Sequence, residues 1–313
     1  MYVIGIDIGG MSVKVGLVDE QGKIVAKNRV VTEKDFSVAV NKMIEQIETL
    51  LSENGISESQ VKGIGIGVPG FTNSKTLMIE KLSNLDWENE PIGEILKNRF
   101  NVEVAISNDA NVAVLGEVRY GVAKGYNSCV MYTLGTGVGG GAIVDGKLME
   151  GFESKGAEFG HATLVLGGEP CGCGRRGCVE QYVSASALIR QTKTAMKENR
   201  DSLMWEFARN DIENVDGRTA FECAKQGDKT ANEVVDKYIE YLGESVLSVL
   251  NVFRPEIFLL GGGVSAQGDY LINKLKEYCK KYNYGYKGAP ETKFKIASLG
   301  NDAGIIGAAS LIK

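Results

Sequence analysis

Short apolar runs and helically spaced apolar positions take turns along the chain and divide it into elements. Residues 2–8 (YVIGIDI) are an apolar run with β-branched residues, Gly9-Gly10 interrupts it, and a second run over 13–18 ends at Asp19. Residues 20–23 carry turn chemistry and 24–31 read as a third strand, so the chain opens as a meander with a glycine hairpin at its first turn. Phe36, Val40, Met43, Ile47, Leu50 and Leu51 then recur at helical spacing, and Gly55 stops that helix. A strand over 61–68 ends at Pro69-Gly70, followed by a helix over 92–100 and a strand over 102–107. Asn108-Asp109-Ala110-Asn111 opens a short helix through Val118, with Asp109 at or next to its N-cap.

The layout then restarts. Residues 130–134, Gly135-Thr136-Gly137, and 139–144 ending at Asp145 repeat the strand, glycine turn and strand of 3–8, 9–10 and 13–19, a weak internal duplication. The later part is more helical, with helices near 185–198, 220–226 and 229–253, the last stopped by Arg254-Pro255. A buried-type strand over 257–260 runs into Gly261-Gly262-Gly263. A helix near 270–282, a strand near 293–297 and a small-residue helix over 303–312 complete the chain. Two duplicated α/β units with glycine turns imply an α/β fold of two domains with a cleft between them.

Composition narrows the functional classes. At 313 residues the chain can bury two cores, and 43% apolar with 24% charged residues describes an ordinary globular protein. A net charge of −5 argues against a broad nucleic-acid surface. The first ten residues carry no basic n-region, which speaks against a signal peptide, and no run of about 18 apolar residues offers a membrane span. Cys129, Cys223 and Cys279 fall in apolar or helical patterns, which suits a reducing cytoplasm. The 40 glycines concentrate at 5–16, 63–70, 135–141, 167–177 and 261–263, which assigns the excess to particular loops.

The densest chemistry lies between Glu158 and Glu180. His161 is the only histidine, and Cys171, Cys173 and Cys178 follow within seventeen positions. Three thiolates and one imidazole make a closed tetrahedral set for structural zinc, and the intervening glycines supply tight turns. Cys171 and Cys173 are too close to pair comfortably as a disulfide. Such a metal holds a loop carrying Glu158, His161 and Glu180 into a pocket.

Glycine turns end three strands: Gly9-Gly10 after Asp7, residues 135–141, and Gly261-Gly262-Gly263. Bare amides on such turns can face phosphate oxygens, and three in one chain favour a nucleotide over plain hairpins. Neither a P-loop nor a clean dinucleotide fingerprint is present. Asp7 reads either as a carboxylate holding magnesium through water or as a turn cap. Asp109 reads either as a base that takes the proton from a hydroxyl attacking a γ-phosphate or as an N-cap. Asn108, Glu158, His161 and Glu180 can read sugar hydroxyls in pairs.

These residues resemble the ROK sugar kinases over essentially the whole chain. The resemblance runs through Asp7-Ile8-Gly9-Gly10, Gly67-Val68-Pro69-Gly70, Asn108-Asp109-Ala110-Asn111 and the glycine run 135–141. It continues through Glu158 and His161, the CGCGRRGC segment 171–178, and 302–308. It implies an actin-like ATPase (ribonuclease H-like) fold, with one lobe from 1–117 and 299–313 and the other from 118–298. It implies ATP and Mg²⁺ at Asp7, Gly9, Gly10, Ser12, Gly135, Thr136, Gly137 and Gly261 to Gly263. Zn²⁺ is implied at His161, Cys171, Cys173 and Cys178. It also implies Asp109 as the base, sugar contacts from Gly70, Asn84 (within Ser83-Asn84-Leu85-Asp86-Trp87), Asn108, Glu158, His161 and Glu180, and a homodimer. One departure stands out: the family's usual threonine after Gly9-Gly10 is here Met11, so Ser12 or the backbone must supply the missing donor.

The expected activity is phosphorylation of a hexose at its 6-hydroxyl, glucose first. N-acetylmannosamine, N-acetylglucosamine, fructose, allose or a β-glucoside are the alternatives. A repressor of the same family carries a DNA-binding domain ahead of the kinase-like part, for which a first strand at Tyr2 leaves no room. A sugar sensor without catalysis is a further alternative, which Met11 encourages and Asp109 opposes.

Overall fold

The computed structural model describes residues 1–82, 84–285 and 288–312; Ser83 lies outside them. The chain packs as two compact units, one of residues 1–130, 141–157 and the segment from Ala297 onward, the other of 131–140 and 158–296.

The first sheet contains β1 (Tyr2–Ile8), β2 (Ser12–Val18), β3 (Ile24–Val31), β4 (Val61–Val68) and β8 (Glu103–Asn108) in the order β3-β2-β1-β4-β8. β1, β2 and β3 are antiparallel neighbours, whereas β4 runs parallel to β1 and β8 to β4. A small sheet lies between β4 and β8 in the chain: β5 (Phe71–Asn73), β6 (Met78–Leu82) and β7 (Trp87–Glu90). The sequence reading missed it because its strands are three to five residues long and rich in Asn, Lys and Glu, which rank low as strand formers. Trp87 anchors it, buried edge-on against Phe36 with its indole N–H donating to the Lys34 carbonyl at 2.7 Å.

Strand alternation gives the first sheet two unlike faces. Ile4, Ile6, Ile8, Val13, Val15, Leu17, Ile64, Ile66 and Val68 share one core with Met43 and Ile47 of α1 (Phe36–Glu53) and with Ile92 and Leu96 of α2 (Ile92–Phe100). On the opposite face glycines open the space that a second helix occupies. A methyl on Gly5 would stand 2.1 Å from the Ile305 carbonyl oxygen, and one on Gly65 1.8 Å from that of Ala308. These glycines let the C-terminal helix, Ala303–Ala309, lie directly on the strands. That corrects the assignment of the glycines at 5–16 and 63–70 to loops: Gly5, Gly16, Gly63, Gly65 and Gly67 are strand residues. The same helix meets α3 (Asp109–Arg119) backbone to backbone, since a methyl on Gly307 would stand 1.9 Å from the Val112 carbonyl oxygen. It is shorter than the expected 303–312, because the chain tightens after Ser310 into turns from Leu311 to Ala308 and Ile312 to Ala309.

The second sheet joins β9 (Cys129–Leu134), β10 (Val138–Val144), β11 (Lys147–Leu148), β12 (Ile257–Gly261) and β13 (Lys293–Ile296) in the order β11-β10-β9-β12-β13. Numbered from its own first strand, that order is the same as in the first sheet, so the duplication extends to topology. The remaining helices are α4 (Glu180–Val183), α5 (Ala185–Glu198), α6 (Met204–Phe207), α7 (Thr219–Lys225), α8 (Lys229–Phe253), α9 (Asp269–Tyr282) and, after β13, α10 (Ala303–Ala309) described above. α8 carries a continuous buried stripe from Val234 through Leu250, and the hydroxyl of its buried Tyr238 donates to the Val183 carbonyl at 2.7 Å.

Candidate active site

In the first unit the β1–β2 turn is closed by the Gly9 N–H donating to the Ser12 carbonyl at 2.9 Å. Thr32 braces it twice, its hydroxyl on the Gly9 carbonyl at 2.7 Å and its N–H on the Met11 carbonyl at 3.2 Å. Met11 therefore serves the loop through its backbone, while its side chain is 83% exposed. Gly10 faces Asn84, whose amide nitrogen lies 3.9 Å from where a Cβ on Gly10 would sit. Asp7 stands opposite Lys14 in the hairpin register, and Lys14 Nζ reaches Asp7 Oδ2 at 2.8 Å and the Asn301 carbonyl at 3.3 Å. The Asp7 carboxylate lies against Gly304 at the start of α10, where a Cβ would be 2.4 Å from Asp7 Cγ.

β8 delivers Asn108 and Asp109 to the start of α3. Asn108 is the N-cap: Oδ1 accepts from the Ala110 N–H at 2.9 Å, and Nδ2 donates to the Gly70 carbonyl at 3.2 Å. Gly70 has φ +129° and could carry no side chain, since a Cβ would stand 2.5 Å from the Lys81 carbonyl oxygen. With Asn108 as the cap, Asp109 becomes the first helical residue, exposed, with Oδ1 accepting from the Ala110 N–H at 2.8 Å. A carboxylate there is favoured by the positive end of the helix dipole.

In the second unit Glu180 is the hub. Its Oε2 accepts from the Val138 N–H at 3.1 Å and fills the space a side chain at Gly137 would need. Its Oε1 lies 3.8 Å from Cys171 Sγ. The glycine turn and the cysteine loop are thus joined through one carboxylate. Gly135 is pinned from its carbonyl by the Ala185 N–H at 2.8 Å, and Thr136 beside it is exposed. Gly261 closes β12, and Gly262, at φ +80°, passes so near Leu134 that a Cβ would stand 2.6 Å from its backbone. The chain then turns at Gly263, so the second and third glycine turns lie side by side.

His161, Cys171, Cys173 and Cys178 converge, with their ligand atoms all within 4.8 Å of one another. Cys173 Sγ is 3.6 Å from Cys178 Sγ, and Cys171 Sγ is 3.7 Å from His161 Nδ1. Around one ion with metal–sulfur bonds of about 2.3 Å, tetrahedral ligands stand about 3.8 Å apart, so donor chemistry and spacing both suit a small tetrahedral cation. No disulfide links the three sulfurs. The Cys173 thiol is already lowered, first by the backbone N–H of Arg175. Arg175 also clasps the loop, donating to the His161 carbonyl at 3.3 Å and to the Thr163 hydroxyl at 2.7 Å. Glu158, one turn before His161, has its pKa raised by desolvation; His161 opposes the shift and the Glu180 carboxylate adds to it.

Sequence reasoning missed Lys14 as the partner of Asp7, although counting residues back across the hairpin turn pairs the two. It also missed Tyr182, whose hydroxyl accepts the Glu169 N–H at 2.8 Å and ties the cysteine loop to α4. No sequence signal pointed to that contact.

A family model described as "ROK family" matches residues 3–313. A glucokinase from Thermotoga maritima is 37% identical over 100% of this chain and 98% of its own length. One from Halalkalibacterium halodurans is 34% identical, over 100% and 95%. Among solved structures, a Streptomyces griseus ROK family glucokinase in complex with glucose and AMPPNP superposes with a TM-score of 0.83 at 32% identity, covering 100% of this chain and 99% of that one.

Proposed function

The chain belongs to the ROK family, and from that premise we propose that it transfers the γ-phosphoryl group of ATP to the 6-hydroxyl of glucose. Its fold is the actin-like ATPase fold of the ROK glucokinases. The observation that carries the substrate is the end-to-end similarity to a glucokinase solved with glucose and an ATP analogue.

Asp109 takes the proton of the 6-hydroxyl as that oxygen attacks phosphorus. Two features support it: the carboxylate is exposed, and a capped helix start fixes its position. Asn108 spends its amide on α3 and on Gly70, so it orders the sugar-facing backbone as well as offering a contact. Glu158, His161 and Glu180 hold sugar hydroxyls from the cysteine loop. Asn84 beside Gly10 adds a contact in the first unit. The turns at Gly9-Gly10, Gly135-Thr136-Gly137 and Gly261-Gly262-Gly263, with Ser12, present amides to the nucleotide phosphates. Met11 removes no brace from the first turn, because Thr32 holds the backbone there. Magnesium brought with ATP would neutralise phosphate charge, and Asp7, paired with Lys14, would be the residue to receive it. Zinc would be held by His161, Cys171, Cys173 and Cys178 as a closed structural site. We further place the protein in the cytoplasm, where its free thiols stay reduced, and read it as a homodimer like the family it resembles.

The test is ADP release from MgATP against a panel of hexoses, with glucose and N-acetylmannosamine side by side. Glucose-dependent turnover supports the reading. Turnover with another sugar alone replaces the substrate, and glucose binding without ADP release sinks the kinase.

A further inference from the structure

Where α8 ends and β13 begins, the second unit opens a cavity of about 810 Å³. From Ile257, which pairs with Lys293 of the cavity wall, β12 runs about 13 Å before it reaches Gly261. The cavity is therefore separate from the glycine turns of the same unit. Arg254, Lys276, Lys280, Lys293 and Lys295 line it, and Glu291 is the one carboxylate among its described lining residues. Leu250, Cys279 and Phe294, all buried, give it an apolar wall.

These cations are not balanced by carboxylates. Among the described residues Arg254, Lys276, Lys280 and Lys295 enter no ion pair, whereas Lys237 and Lys274 of the same two helices have carboxylate partners at 2.8 and 2.7 Å. Lys276 and Lys280 stand four apart on α9, a spacing at which like charges repel. Arg254 ends α8 with a left-handed backbone, φ +39°, where glycine or asparagine is usual. Its guanidinium is fixed across the segment after α9, donating to the Tyr284 carbonyl at 2.6 Å and to the Pro290 carbonyl at 3.5 Å. Both acceptors are neutral, so the charge stays uncancelled, and donors of the guanidinium remain unspent. The helix dipole accounts for Lys280 in the last turn of α9, and the edge position of β13 accounts for its lysines. Neither accounts for Arg254 and Lys276 lining the same cavity.

We propose that this cavity binds a small organic phosphate, with Arg254, Lys276 and Lys280 taking the phosphoryl oxygens and the wall of Leu250 and Phe294 taking the carbon part. Cations without carboxylate partners select an anion of more than one charge, and a concave site of this volume suits a metabolite. The inference is independent of the sugar-kinase reading and assigns the ligand no part in catalysis.

The experiment titrates the full chain calorimetrically with phenyl phosphate and with inorganic phosphate, at constant ionic strength and with AMPPNP in excess to fill the glycine turns. Phenyl phosphate binds once per chain with Kd below about 1 mM, and about fivefold or more tightly than inorganic phosphate, because only the former uses the apolar wall. Lys276 and Lys280 are exposed, so truncating them leaves the fold intact. Lys276→Ala with Lys280→Ala weakens phenyl phosphate binding about tenfold or more. Lys274→Ala with Lys281→Ala removes the same charge from α9 outside the cavity and weakens it by less than about twofold. No phenyl phosphate binding up to about 10 mM overturns the proposal. So does an equal loss in the two double variants, or inorganic phosphate binding as tightly as phenyl phosphate.

Discussion

Asp109 and Glu180 each begin a helix, and each arrives there by a different route. Asp109 comes off the end of β8, the last strand of a sheet whose one face is aliphatic core and whose other is seated on α10, with Asn108 capping the junction. Glu180 comes off the cysteine loop into a four-residue helix that has no side-chain cap, two residues after Cys178. Secondary structure places the first carboxylate; a cluster of side chains places the second. The half proposed to act on the proton inherits the rigidity of a sheet. The half proposed to grip the sugar depends on the convergence of His161, Cys171, Cys173 and Cys178.

That difference can be broken from either side. Asp109→Asn removes the proposed base and keeps the Oδ1 that accepts from the Ala110 N–H, so kcat falls about a thousandfold with little change in melting temperature. Calorimetry and initial rates on the same sample check both statements. Gly65→Ala attacks the scaffold instead: the methyl meets the Ala308 carbonyl, and stability falls by about 3 kcal/mol in urea titration. Cys178→Ser acts on the other half. It lowers kcat/KM for glucose by about 10²-fold through misplacement of Glu158 and Glu180. Hydrogen exchange rises over 159–180 and stays unchanged over β8 and α3. Equal loss of protection in β8 would show that the two routes are not independent. The smallest effect belongs to Asn108→Ala, which loses the α3 cap at about 1 kcal/mol of stability and frees the Gly70 carbonyl.

The same contrast explains what could be read from sequence. β3, β4, α2, α5 and α8 match the expected bounds, because apolar period and stop signals are local. The convergence of His161, Cys171, Cys173 and Cys178 was legible because its chemistry is unusual in kind: one histidine and three cysteines at glycine-separated spacing. What escaped was whatever depended on the far side of a contact. The glycines of β1 and β4 look like loop residues until α10, some 240 residues or more later in the chain, is found lying on them. The β5-β6-β7 sheet escaped because strands of three to five residues, rich in polar side chains, carry no clear pattern. Asp109 was left between base and cap; the structure gives the cap to Asn108, and the base stands as the proposal made above.

The most direct measurement is the product itself. Incubated with MgATP and glucose, the protein should yield glucose phosphorylated at oxygen 6, seen by phosphorus NMR and matched mole for mole by ADP, and Asp109→Asn should yield almost none. Phosphate on another position, or full product formation by the Asp109→Asn protein, would contradict the account.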